Sequence, residues 1–374
     1  MNDIVNTDEA PLLTQTVATA NGKAIGIATL NAPKSLNSLT LPMVDQLVVQ
    51  LRAWQNDANI VCVVLRGSGE KAFCAGGDVV ALHNSAVSGD SYAATFFEHE
   101  YRVDYLIHTF QKPIIVWGHG IVMGGGMGLL AGASHRVVTA QTRLAMPEVT
   151  IGLYPDVGGS FFLNRAPGRT GLFLALTGAS INASDALFLG MADRFLDNAQ
   201  YNDVVAALRA QTWNDAALAR KQVSDVLRKF EATAGARPAN VVRDHYDYIQ
   251  QVTDGDVVDD IVANINAYAG DDEWLRKGAA TLKIGCPVTI HIIDQQLKRG
   301  HKLSLKEVFQ MELVISINCT RFKSFPEGVR ALLIDKDKNP KFEPATLAGV
   351  TPELIEEHFK SPFGGKSNPL ADLN

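Results

Sequence analysis

Apolar residues along this chain cluster first in short, strand-like runs and later in longer, helix-like ones. Residues 24–30, AIGIATL, read as a strand, and the aliphatic run at 60–65 predicts a second strand covered on both faces. Between them lie a turn-like NAPKSLNS and then Thr40, a helix cap with Pro42 in the first turn, opening an amphipathic helix to about Trp54. A glycine-dense loop, GSGEKAFCAGGD at 67–78, follows the second strand. A polar helix at about 91–110 ends at Lys112-Pro113, and a third strand begins at Ile114. Alternation of this kind predicts an α/β layered core.

The third strand feeds a second glycine turn, Gly124-Gly125-Gly126, after which Met127 opens a short helix. The uncharged run at 113–134 has the length of a membrane span, but its glycines and His119 interrupt it, so a buried strand-turn-helix is expected. Helices are expected at 170–176 and from a Ser184 cap to about Gly190. From about Asp203 strand signals fade, and 203–360 reads as mostly helical, most clearly at 281–299 and 304–317. The division expected is a core at 12–202, a helical region at 203–360, and loose tails at 1–11 and 361–374.

Composition narrows the function classes. At 374 residues and 47% hydrophobic, the chain can bury a full core. A formal charge of −6 argues against a broad nucleic-acid face, leaving room for a local basic pocket for one phosphorylated ligand. Cys62, Cys74, Cys286 and Cys319 form no CxxC pair or metal-like group, which predicts a reducing, cytoplasmic setting and no metal or redox cofactor. The acidic start, MNDIVNTDEAPLL, lacks the basic and apolar character of a targeting segment.

The candidate chemistry lies at 119–156. Clustered glycines admit close approach of a ligand to backbone N–H groups, and a helix opening there points its first N–H groups at developing negative charge. Glu148 and Asp156 follow, two carboxyls able to move protons or attack a carbonyl. Each also has a plainer reading, Glu148 as a cap or surface acid and Asp156 as a turn residue in YPDVGG. His119 reads as structural.

Three segments in order, LNAPKSLNSL at 30–39, KAFCAGGD at 71–78 and HGIVMGGGMGL at 119–129, resemble the crotonase (enoyl-CoA hydratase/isomerase) superfamily. The resemblance implies a crotonase-like spiral of strand-strand-helix turns in the core, with the helical region following, and an acyl-CoA substrate whose CoA is no separate cofactor. It places the oxyanion-hole N–H groups on Gly77 and Gly125, the substrate near Gly124, and the CoA nucleotide near Lys34, Ser35, Leu36, Ala75 and Asp78. Asp78 reads equally well as the cap of the next helix.

Hydratases of the superfamily carry one glutamate just past the GGG turn, where this chain has Gly128, and a second at the position of Glu148. The runs MPEVTIGLYPDVGGSFFL at 146–163, FFEHEY at 96–101 and FPEGVRALLIDKDKNPKF at 325–342 resemble the 3-hydroxyisobutyryl-CoA hydrolase branch. That resemblance implies hydrolysis of a short 3-hydroxyacyl-CoA, as in valine breakdown, with Glu148 as base or nucleophile, Asp156 as its companion and Glu100 in contact with substrate; Glu100 reads equally well as an ordinary charged residue on a helix face. The alternatives are an enoyl-CoA hydratase or isomerase, and a non-catalytic member binding acyl-CoA or RNA. Neither a membrane nor a nucleic-acid partner is expected, and assembly as a homo-oligomer stays open.

Overall fold

The computed structural model describes residues 10–374, so residues 1–9 of the expected amino-terminal tail lie outside the described residues. Among the described residues the chain forms two compact units, each drawn from several stretches. The first comprises the described part of Met1–Gly77 together with Val103–Leu144 and Asn182–Asn240, and the second comprises Asp78–Arg102, Ala145–Ile181 and Val241–Asn374.

The first unit is organised by a six-stranded sheet. Its strands are β1 (Leu12–Ala18), β2 (Ala24–Leu30), β3 (Ile60–Gly67), β5 (Ile114–Gly118), β7 (His135–Val138) and β9 (Arg194–Phe195), hydrogen-bonded in that order. β1 runs antiparallel to β2, and every later pair is parallel, with Leu65 opposite Val116 and Trp117 opposite Val137. A smaller sheet holds β4 (Ala72–Cys74), β6 (Ile121–Met123) and β8 (Arg143–Ala145). A long and a short strand thus alternate three times: β3 then β4, β5 then β6, β7 then β8. This is the expected spiral, and Gly77, Gly125 and Glu148 each lie within three residues of the end of a short strand.

Alternation of side chains along the strands builds the core. Ile25, Ile27, Cys62, Val64, Ile115, Trp117 and Val137 recur at two-residue spacing and belong to one buried cluster. Val204 and Leu208 of helix Tyr201–Arg209, and Val223 and Leu227 of helix Ala219–Glu231, pack into it. All four cysteines are buried and in no disulfide, and burial pushes the Cys62 thiol up to about 12, which leaves it inert at neutral pH. The uncharged run at 113–134 holds β5, β6 and helix Gly125–Ala131; no helix among the described residues is long and apolar enough to cross a membrane.

The second unit is nearly all helix, and past β9 the described chain has helices and turns only. Residues 12–18, for which no element was expected, form a strand paired along its length with β2. Three local expectations are corrected. The span 281–299 is two helices, Glu273–Ile284 and Pro287–Gly300, because Gly285 breaks the first and Pro287 is preorganised to start the second. Asn182, not Ser184, caps helix Ala183–Phe188; its carboxamide oxygen accepts from the Ser184 and Asp185 N–H groups, while the Ser184 hydroxyl donates to the Pro238 carbonyl. The final residues are anchored rather than loose: Leu370 is fully buried, Arg102 donates to the Pro369 carbonyl at 2.7 Å and pairs with Asp372 at 2.9 Å, and Asn368 donates to the Gln310 carbonyl.

Asn37 shows how the first unit fixes its loops. It is fully buried at φ 57°; its Oδ1 accepts from the Ala32 N–H, and its Nδ2 donates to the carbonyls of Ser68 and Ala72, both at 2.9 Å. Asn37→Leu would orphan these groups and add left-handed strain, so urea unfolding is expected to show a loss of about 3 kcal/mol.

Candidate active site

In the first unit two glycine turns converge. Gly76 (φ 109°) and Gly124 (φ 48°) adopt backbone conformations that disfavour side chains. A Cβ on Gly76 would lie 3.7 Å from the Gly125 nitrogen, so the Gly76-Gly77 and Gly124-Gly125 segments are neighbours. Gly77 is held by a parallel bridge to Leu39, beside a 2.8 Å bond from the Leu39 N–H to the Gly76 carbonyl. Gly125 is the first residue of its helix, where the N–H has no acceptor within the helix. Gly126 admits no side chain, since a Cβ there would sit 2.3 Å from the Cys74 carbonyl oxygen. Adjoining glycine segments of this kind can offer backbone N–H donors to an oxyanion. Gly128, where a hydratase acid would stand, is buried in the same short helix.

Of the residues expected near a nucleotide, Lys34 and Ser35 lie exposed in a 3-10 turn, Pro33–Ser35, and Leu36 follows at φ 56°. The Leu36 carbonyl accepts from the Ala75 N–H at 3.1 Å, which joins those two segments. Leu36 also lines an open groove of about 730 Å³ with Lys71, Gln141 and Arg143, giving it two cationic side chains that sequence reading did not single out. Asp78 caps helix Val79–Ser88, accepting from the Ala81 N–H at 3.1 Å. His119 is structural, with Nε2 3.0 Å from the Gly69 carbonyl and burial pushing its pKa down.

The second unit brings the acids together. Glu100, Glu148 and Asp156 are all nearly inaccessible to solvent, and a fourth carboxyl, Glu312, is fully buried. Burial raises the Glu100 carboxyl well above its ordinary range, and the charges of Asp156 and Glu148 add to this. Glu148 is likewise raised, by burial first and the Asp156 charge second. Asp156 is raised by burial to about 6, against a Tyr101 hydroxyl 2.6 Å from its Oδ2 that favours the ionised form whenever it donates to it. Oε1 of Glu100 and Oε2 of Glu148 have no hydrogen-bond partner among the described residues. Buried acids with unpartnered oxygens and raised proton affinity are suited to proton transfer near neutral pH.

Local geometry explains how Asp156 is presented. Val157 takes φ 51°, a strained value for a β-branched residue, and Gly158 follows at φ 86°. Glu312, from helix Leu305–Arg321, holds this turn by accepting from the Gly158 N–H at 2.7 Å and the Ser160 N–H at 2.9 Å. Gln296 donates to the Pro155 carbonyl at 2.9 Å from helix Pro287–Gly300. Sequence reading missed Glu312, Gln296, Tyr154 and Ser316. The available signal was a charged residue amid the apolar run FQMELVIS, an expensive placement without a purpose.

Comparison with known proteins follows the same lines. A family model described as enoyl-CoA hydratase/isomerase matches residues 25–359. The mitochondrial 3-hydroxyisobutyryl-CoA hydrolase of Danio rerio is 38% identical over 91% of this chain and 88% of its own, and that of Homo sapiens 37% over 90% and 86%. Among solved structures, a carnitinyl-CoA dehydratase from Mycobacterium thermoresistibile is similar with a TM-score of 0.82 at 35% identity, covering 94% of this chain and 97% of that one. An enoyl-CoA hydratase from Rhodobacter sphaeroides 2.4.1 gives 0.82 at 33%, covering 94% and 98%.

The buried acids carry a pH signature. A carboxyl whose folded pKa is raised binds more protons folded than unfolded, so its contribution falls as pH rises from the unfolded value through the folded one. Asp156, raised to about 6, and Glu312, raised to about 8, place that window between mildly acidic and mildly basic pH. Carboxyls lowered by ion pairs, such as Asp193, act below it. The thermal midpoint is therefore expected to fall from about pH 5 to about pH 8, and Glu312→Gln to flatten that slope.

Proposed function

Because the chain belongs to the enoyl-CoA hydratase/isomerase family, we propose that it is a thioester hydrolase, cleaving a short 3-hydroxyacyl-CoA, 3-hydroxyisobutyryl-CoA first among them, to the free 3-hydroxy acid and CoA. The observation that carries this reading is the placement of acids: Glu148 is buried with an unpartnered oxygen in the electrostatic range of Asp156, while the position past the glycine turn is Gly128. A two-glutamate hydration lacks its first acid here. The names of the relatives at 36–38% identity favour hydrolysis over the hydration and dehydration named for the similar solved structures.

In this reading the N–H groups of Gly77 and Gly125 donate to the thioester oxygen, and Gly124 leaves the acyl group room. Glu148 takes a proton from water as the water oxygen attacks the carbonyl carbon, and the carbonyl electron pair moves onto its oxygen. Collapse reforms the carbonyl and breaks the C–S bond, and the proton leaves with the CoA sulfur. Asp156 and Glu100 bind the 3-hydroxyl end. Lys34, Ser35, Leu36, Ala75 and Asp78 face the CoA nucleotide, with no metal or redox cofactor required. A cytoplasmic location is part of the proposal; buried thiols in no disulfide fit a reducing compartment, and the relatives named above are mitochondrial enzymes.

Thiol release from 3-hydroxyisobutyryl-CoA, run beside loss of the conjugated double bond of crotonyl-CoA, tests the reaction class. Release without hydration is expected; hydration without release would replace this reading with a hydratase. Glu148→Gln is expected to lower kcat by about 10²–10⁴-fold while CoA binding persists. Asp156→Asn should harm the 3-hydroxy substrate more than the matching acyl-CoA without that hydroxyl, and equal losses would remove it from substrate recognition.

A further inference from the structure

Tyr101, Ser316 and Tyr154 are fully buried, and their hydroxyls form an unbroken chain from Asp156 to the main chain of helix Leu305–Arg321. Asp156 Oδ2 lies 2.6 Å from Tyr101 Oη, Tyr101 Oη 2.6 Å from Ser316 Oγ, Ser316 Oγ 2.8 Å from Tyr154 Oη, and Tyr154 Oη 2.7 Å from the Glu312 carbonyl oxygen. Four short contacts between oxygens therefore share three hydroxyl protons.

The far end sets the direction. A carbonyl only accepts, so the Tyr154 hydroxyl donates to Glu312. Ser316 must then donate to Tyr154, and Tyr101 to Ser316. The fourth contact is a hydrogen bond only if Asp156 carries a proton and donates it to Tyr101. With Asp156 ionised, Tyr101 turns to donate to it, and one of the two contacts of Ser316 is left as a pair of oxygens without a hydrogen between them. A buried oxygen pair of that kind is costly.

We propose that Tyr101, Ser316 and Tyr154 are positioning residues acting through Asp156: the one orientation of the chain that satisfies every oxygen places a proton on Asp156. This rests on the reading of Asp156 as a partner of Glu148 in hydrolysis. A neutral Asp156 keeps its other oxygen available to accept from the substrate's 3-hydroxyl, and it spares Glu148 a second negative charge when Glu148 ionises to act as base. The ionisable groups facing Asp156 are Glu100 and Tyr101 from helix Tyr92–His108, Glu148 and Tyr154 from its own stretch, and Glu312 and Cys319 from helix Leu305–Arg321. None of the carboxyls among them is altered in the variants below.

The chain predicts shifts of opposite sign from three conservative changes. Ser316→Ala removes the contested oxygen, so ionised Asp156 keeps the Tyr101 proton and Tyr154 keeps Glu312 with nothing left bare. Tyr154→Phe lets Ser316 donate to Tyr101 and Tyr101 to ionised Asp156. Tyr101→Phe strips Asp156 of its only hydroxyl partner in the chain. The titration midpoint of Asp156, followed by its protonated C=O stretch in infrared difference spectra of the ligand-free protein with Asp156→Asn as blank, should fall by about one pH unit in the first two and rise in the third. A general loosening of packing would move all three the same way, and that result, or no movement, overturns the proposal. Should a tyrosine variant not fold, Ser316→Ala decides alone, an unmoved or raised midpoint being fatal. The titration needs no substrate, so a protein that released no thiol would end the hydrolase reading without touching this result.

Discussion

The interaction on which the acid cluster depends is the grip of the Glu312 carboxyl on the turn after Asp156. Val157 at positive φ costs about 1–3 kcal/mol, and such strain persists only where the surroundings over-determine it. Two N–H donors from Gly158 and Ser160 converge on one buried carboxyl and hold the turn in shape. The same helix supplies Ser316 and the Glu312 carbonyl, which fix the two tyrosine hydroxyls. One helix thus sets both the backbone and the hydrogen-bonding environment of Asp156.

The two kinds of chemical group in this protein are held by different physics. The donors at Gly77 and Gly125 are backbone amides, fixed by strand register and by glycines that allow close approach between turns. They need no side chain and stay charged in no solvent condition. The acids are side chains, held by burial among helices, and burial itself alters their proton affinity. The fold repeats a strand-strand turn that places a candidate segment after each short strand, and the residue there decides whether it offers a backbone donor or a side-chain acid.

Much of this was legible along the chain. β2, β3, β5, the Thr40-capped helix Leu41–Asn56 and the amphipathic stretch that forms helix Leu305–Arg321 follow from local periodicity, and the Thr40 cap carries its expected hydrogen bond. The glycine turns announced close backbone approach, and the matching segments pointed to the family and to hydrolysis. Boundaries failed where a nearby partner outranked the local signal: β1 is strand because β2 pairs with it, and Asn182 caps where Ser184 was expected.

Sequence by itself determined the order of strands and helices, the glycine turns and the identities of the acids, because each is a property of neighbouring residues. Tertiary structure alone decided what Glu312, Ser316, Tyr154 and Asn37 do. Their partners lie tens to hundreds of residues away, and a polar residue in an apolar run shows only that something must satisfy it. Whether Asp156 meets its surroundings as acid or carboxylate is set by a chain of hydroxyls assembled from three separate stretches, and no local pattern encodes that count of protons.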